Sequence, residues 1–181
     1  DDAACALCYT SGTTGNPKGV LYSHKSNIYH ATSAYSALTI DRDDCILMVV
    51  PMFHVLAWGI PYFGPMTGNK LVMPGIGMEG ESLYELIDQE EVNSTFGVPT
   101  VWMQLLAYCR EHKKVLSSVK NTIIGGSALS LAMLKEFDEV HDVNVIHAWG
   151  MTEMSPLGTT NLPTKEMEAM SKEDKYTLQL K

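Results

Sequence analysis

The sequence predicts an α/β fold with a mostly parallel sheet flanked by helices. Short apolar runs alternate along the chain with segments whose apolar residues recur at helical spacing. The 181 residues suffice for one domain with a hydrophobic core. With 45% hydrophobic and 19% charged residues, the composition is that of a folded globular chain.

Cys5–Tyr9 reads as a buried strand, followed by a loop rich in Gly and Thr. Ser23 can cap a helix with the stripe Ile28, Ala31, Tyr35 and Leu38. Ile46–Val50 is a second strand. Phe53–Met66 is apolar and reads as a helix that Pro61 kinks or ends. Lys70–Met73 is a short strand, and Gly75 to Gly80 turn the chain. Ser82-Leu83-Tyr84-Glu85 has the pattern of a capping box, opening a helix with Leu83, Leu86 and Ile87 inward. Ser94–Gly97 is a strand. Pro99 starts a helix with Val101, Leu105 and Tyr108 on one stripe. Thr122–Ile124 is a strand, Ser130 caps a helix carrying Leu131, Leu134 and Phe137, and Val143–His147 is a further strand. Residues 1–164 form one unit. Residues 165–181, charged and rich in Met, read as a surface segment of the same domain cut from its continuation. The start at Asp1, entering a strand at once, reads as an excised piece of a longer protein.

A formal net charge of −8 argues against a nucleic-acid partner. It does not argue against ATP, because local amides and a few cations hold phosphate. Cys5 and Cys8 form a CxxC pair, but residues three apart in a strand face opposite sides, so buried thiols are expected rather than a zinc site. The cysteines suggest a reducing, cytoplasmic location. No transmembrane segment or signal peptide is visible. Peripheral membrane contact and a homodimer of the full-length protein stay open.

The densest chemical signal is the run from Tyr9 to Gly19. Gly12, Gly15 and Gly19 permit tight backbone, the hydroxyls of Thr10, Ser11, Thr13 and Thr14 add donors, and Lys18 adds a mobile cation. Together they make an anion-binding concavity for a polyphosphate. Because Pro17 precedes Lys18 and Gly19 follows it, the Walker A pattern fails, and GxGxxG is absent from this loop.

This run resembles the phosphate-binding signature of the adenylate-forming superfamily, which includes acyl-CoA synthetases, luciferases and peptide-synthetase adenylation domains. Three further segments resemble family motifs in family order: Val50-Pro51-Met52-Phe53-His54-Val55, Gly125-Gly126-Ser127-Ala128 and His147-Ala148-Trp149-Gly150-Met151-Thr152-Glu153. Trp149 stands where the family commonly has Tyr. Either ring can stack on adenine, but the phenol hydroxyl is lost. Taken singly, His54 reads as a core histidine, Thr152 and Glu153 as residues of a helix start, and Trp58 as core. The motif context favours functional roles.

The resemblance implies part of the large N-terminal domain of an acyl-CoA synthetase-like fold, using ATP, CoA and Mg2+. It implies that Thr10, Ser11, Gly12, Thr13, Thr14, Gly15 and Lys18 grip the phosphates of ATP, and that Thr10 and Glu153 lie at the magnesium ion. Thr152 would bond the α-phosphate, and Gly126, His147, Ala148 and Trp149 would frame the adenine. Val55 and Trp58 would meet the nucleotide at its junction with an acyl pocket made by Phe53, His54 and Trp58. Lys18, His54, Thr152 and Glu153 are the candidate catalytic residues. The chain resembles bacterial long-chain fatty acid–CoA ligases most, and Trp58 stands where such enzymes gate a fatty-acid tunnel. Val55–Met66 carries no Asp or Glu to meet an amino acid's ammonium, which favours an apolar acid. The family's C-terminal domain, hinge, ribose-binding Asp and catalytic Lys have no match in this sequence. The rival readings are an aryl- or short-chain acid–CoA ligase and a non-catalytic nucleotide-binding scaffold.

Overall fold

The computed structural model describes residues 1–11 and 15–180. Strands β1 (Ala4–Thr10) and β2 (Lys18–Ser23) form an antiparallel hairpin that sets Thr10 opposite Lys18 and Leu7 opposite Leu21. Six further strands follow: β3 (Cys45–Met48), β4 (Lys70–Val72), β5 (Ser94–Gly97), β6 (Asn121–Ile124), β7 (Asn144–Gly150) and β8 (Leu157–Thr160). They form one sheet in the order β4-β3-β5-β6-β7-β8. Every neighbouring pair from β4 to β7 is parallel, and β8 runs antiparallel to β7. The mostly parallel α/β sheet is the one the sequence predicts.

The helices are α1 (His24–Ala37), α2 (Ile60–Thr67), α3 (Gly80–Glu90), α4 (Pro99–His112), α5 (Leu131–His141), α6 (Lys165–Glu168) and α7 (Lys172–Gln179). They cover both faces of the sheet. On one face Ile46, Met48, Phe96, Ile123 and Ile146 pack with Ala31 and Ala34 of α1 and Ile60 and Phe63 of α2. On the other, Leu47, Ile124 and Val145 pack with Leu83, Trp102, Leu105, Phe137 and Tyr176 of α3, α4, α5 and α7. Adjacent strand residues point to opposite faces, so each central strand must be apolar throughout. Each fully buried side chain of this size contributes about 1.5–3 kcal/mol.

Several elements differ from expectation. The α1 stripe is rotated: Asn27, His30, Ala31 and Ala34 are buried, while Ile28 is exposed. Ser23 does cap α1, in a reciprocal box with Ser26. The N-cap of α3 is Glu79, and Ser82 lies inside the helix with its hydroxyl 2.6 Å from the Glu79 carboxylate. Helix α4 buries Trp102, Leu105, Leu106 and Cys109, leaving Val101 and Tyr108 at the flank. Ser130 caps α5 as expected, but Leu131 faces solvent.

The largest difference lies in Phe53–Met66. Helix α2 begins only at Ile60, and Pro61 sits in its first turn, where no backbone donor is needed. Before it, Val55, Leu56, Ala57 and Trp58 form a left-handed turn with φ of 44, 54, 47 and 57°. Gly59 continues it at φ 81°.

Helix α7 is clasped to α5. The Tyr176 hydroxyl donates to Asp138, and Lys172 Nζ lies 2.9 Å from the same carboxylate. Lys135 Nζ lies 2.6 Å from Glu173. Burial alone would raise the Asp138 pKa, but the hydrogen bonds from Tyr176 and Lys172 outweigh it and hold the carboxyl below its ordinary value. A depressed carboxyl stabilises the fold fully above its unfolded pKa of about 4 and loses that contribution as pH falls through the folded value. Asp138→Asn should therefore destabilise the fold against thermal unfolding at pH 6 by about 1 kcal/mol or less, since the site is partly in water. The difference from wild type should shrink as pH is lowered below 4. A pH-independent difference would show that the clasp is not ionic.

Candidate active site

The parallel strands deliver their chain turns to one edge of the sheet, where open α/β sheets hold ligands. Residues after β3 carry His54 and the left-handed turn. The loop after β6 carries Gly125 and Gly126, and the end of β7 leads into Thr152–Met154, a single turn of 3-10 helix. Between them lies a cavity of about 210 Å3. His54, Val55 and Trp58 line one wall, Gly125 and Gly126 a second, and Ala148 to Thr152 a third. Three of the four motifs thus share one cavity.

Close approach fixes the Gly-Gly wall. A Cβ at Gly125 would stand 2.8 Å from the Ala148 carbonyl oxygen and 3.2 Å from Trp58 Cη2. At Gly126 it would stand 3.1 Å from Val98 Cγ1, and φ there is +79°. The Trp58 indole therefore lies against bare backbone, as a flat ring can only where side chains are missing. Trp149 is half-exposed and packs on Gly158 of β8, where a Cβ would stand 2.9 Å from its ring. His147 is half-buried, and its carbonyl accepts from Asn161 N at 2.9 Å.

The fourth motif reaches this edge through a residue that sequence reasoning missed. Tyr22 of β2 is 3% exposed, and its hydroxyl donates to the Thr152 carbonyl. Burial, with the charges of Cys8 and Glu153, pushes its pKa up to about 12. The hairpin and the Thr152–Met154 turn are thereby tied together. Alternation along β2 marks Tyr22 as inward between outward Leu21 and the cap Ser23, but a strand so close to a Gly-rich loop was not expected.

The other candidates stand apart from the cavity lining. Thr10 is half-exposed at the end of β1, and Ser11, Gly15 and Lys18 are exposed beside it. Gly12, Thr13 and Thr14 lie outside the described residues. Glu153 is exposed on the 3-10 turn. Phe53 is 87% exposed and is not brought to the cavity. Conversely, His30, Ala34, Leu38, Phe96, Ile123 and Leu157 form a cavity floor that no motif indicated. Among the described residues no group of three or more His, Cys, Asp or Glu could hold a metal. No helix among them is long and apolar enough to cross a membrane.

Comparison with known proteins matches this arrangement. Residues 1–177 match the AMP-binding enzyme family. The chain is 48% identical, over 98% of its length, to a medium-chain-fatty-acid–CoA ligase of Ectopseudomonas oleovorans, covering 33% of that protein. It is also 48% identical, over 97% of its length, to a 3-methylmercaptopropionyl-CoA ligase of Ruegeria pomeroyi, again covering 33%. Among solved structures, the O-succinylbenzoate coenzyme A synthetase of Bacillus subtilis, in complex with ATP and magnesium ion, superposes with a TM-score of 0.79 at 29% identity. That match covers 93% of this chain and 34% of the other. The chain thus spans about a third of the length of these relatives.

Tyr22→Phe keeps the buried ring and removes only the hydroxyl that reaches Thr152. It should cost about 1 kcal/mol in thermal unfolding. Alkaline titration gives the sign: a raised tyrosine pKa stabilises the fold fully below pH 10, and the contribution is lost as pH rises towards about 12. Wild type should lose its advantage over the Phe variant across that window. Equal stability of the two at pH 8 would remove the tie between hairpin and turn.

Proposed function

The chain belongs to the AMP-binding enzyme family, and we propose that it carries the nucleotide- and acid-binding part of a cytoplasmic fatty acid–CoA ligase. The observation that carries this reading is the cavity at the sheet edge, with backbone walls at Gly125–Gly126 and Ala148–Thr152 above an apolar floor. In such a reaction the carboxylate oxygen attacks the α-phosphate of ATP, giving an acyl adenylate and pyrophosphate. The thiolate of CoA then attacks the acyl carbon and releases AMP. No enzyme nucleophile is needed, so the protein contributes position and charge.

The roles are assigned from the family resemblance. The hairpin loop, with Thr10, Ser11, Gly15, Lys18 and the intervening Gly12, Thr13 and Thr14, is assigned to the β- and γ-phosphates. Thr152 is assigned to the α-phosphate. Gly126, His147, Ala148 and Trp149 are assigned to adenine, and Val55 and Trp58 to its junction with the acid. His54 is assigned to the reacting end of the acyl pocket. Phe53, exposed as it is, fits that pocket less well than the floor residues do.

Thr10 and Glu153 offer hard oxygen donors without a closed ligand cluster. That suits a magnesium ion held mainly by phosphate and water. When bound, it would neutralise charge on the departing pyrophosphate.

A shorter acid is the second reading, and the Ruegeria pomeroyi relative favours it. In the full-length enzyme, Glu153→Ala should lower acid-dependent ATP–pyrophosphate exchange by about a hundredfold while leaving fatty-acid binding nearly unchanged. Unaltered exchange would remove Glu153 from the reaction.

A series of saturated acids separates the two readings. Each added methylene should tighten binding by about 0.8 kcal/mol until the cavity is full, and Trp58→Ala should shift the chain length at which this stops. Activity confined to the shortest acids would overturn the fatty-acid reading and leave acid activation standing.

A further inference from the structure

Gly158 of β8 is a glycine that its own backbone does not require. Its φ lies outside the left-handed region, so the chain itself would accept a side chain there. What forbids one is a neighbour. A Cβ at this position would stand 2.9 Å from both Cε3 and Cζ3 of Trp149 and 2.7 Å from the Met154 methyl. The end of a methionine swings aside readily. The indole is a rigid plate turned only by its side-chain torsions, and it must move as a whole.

The strand pairing makes the space that the indole fills. Trp149 pairs with Thr159 and Gly150 with Leu157, so Gly158 is the extra residue of a bulge in β8. Beside the bulge the two strands are pinned. Met151 N donates to the Pro156 carbonyl at 3.0 Å, and a Cβ at Gly150 would stand 2.1 Å from that oxygen. Room for a side chain at Gly158 must therefore come from Trp149, which is 54% exposed and lines the cavity. Displaced from its seat, the indole leaves the position in which it forms that wall. A phenol in its place lacks the fused second ring to which Cε3 and Cζ3 belong, and so does not fill the space over Gly158.

We propose that Gly158 is a positioning residue for ATP: the bulge leaves space for the fused ring of Trp149, and the indole keeps its place at adenine only while that space holds no side chain. The proposal rests on the assignment of Trp149 to adenine and deepens it. The indole at this motif position and the glycine nine residues on act as one unit.

The test is acid-dependent ATP–pyrophosphate exchange in the full-length enzyme. KM for ATP and KM for the acid are measured in wild type, Gly158→Ala, Trp149→Tyr and the double variant. Gly158→Ala should raise KM for ATP about tenfold, as an overpacked contact does, and change KM for the acid far less. In the Trp149→Tyr background the same substitution should change KM for ATP by less than about twofold, the mark of a coupled pair. An equal rise in both backgrounds overturns the proposal, because Gly158 then serves the strand and not the indole. So does an unchanged KM for ATP in Gly158→Ala. Where Gly158→Ala fails to fold, the double variant decides: exchange restored by Trp149→Tyr supports the pair, and failure of both proteins overturns it. Trp149→Ala with an unaltered KM for ATP would overturn the adenine assignment, and this inference with it. With KM for ATP raised in Trp149→Ala, the negative outcomes above overturn this inference alone.

Discussion

Burial of the sheet on both faces is the constraint from which the rest follows. Leu47 and Ile46, Ile124 and Ile123, and Val145 and Ile146 are neighbours in sequence that serve opposite cores. Between the layers even polar side chains pair with each other, as Thr95 and Thr122 do at 2.9 Å. A sheet so enclosed has nowhere to place chemistry except at the ends of its strands. There the parallel strands β3, β5, β6 and β7 all turn at the same edge. The site is thus an outcome of strand direction before it is an outcome of any particular residue.

Much of this was legible. Ser94–Gly97 and the mostly parallel sheet follow from apolar runs set between helical segments, and Ser23 and Ser130 mark helix starts by chemistry that is local. What escaped was set by tertiary contact. The stripe of α1 turns towards His30, Ala31 and Ala34 because both the core beneath α1 and the cavity beside it lie on that side. Strand β8 is a short edge strand with Gly158 and Thr residues, giving little apolar signal. Helix α7 is mostly polar and buries only Tyr176, and it docks on α5 through that ring and the ion pairs of Lys172 and Glu173.

The site divides in the same way. Its walls were visible as motifs because each is a continuous stretch of sequence: Gly125–Gly126 and Ala148–Thr152. Its floor was not visible, because Phe96, Ile123 and Leu157 come from three strands and read as ordinary core. Tyr22 was hidden for the same reason: a lone tyrosine gains its meaning only from Thr152, far along the chain. Motifs report what is contiguous, whereas specificity resides in what converges.

The turn Val55–Trp58 joins the walls to the floor. Left-handed backbone costs about 1–2 kcal/mol for each residue other than Gly, so four in succession need compensation from the surroundings. Val55 and Ala57 are buried, Gly59 abuts His30, and Ile60 and Phe63 anchor the helix that follows. A right-handed turn would carry the same side chains in the opposite sense around its axis. The left-handed one sends Val55 and Ala57 inward and lays Trp58 on the Gly125–Gly126 wall, where Cη2 approaches closely enough to exclude a side chain. Trp58 therefore touches the Gly125–Gly126 wall, while the turn that holds it rests on the His30 imidazole. Five residues of backbone, Val55 to Gly59, thus join wall to floor.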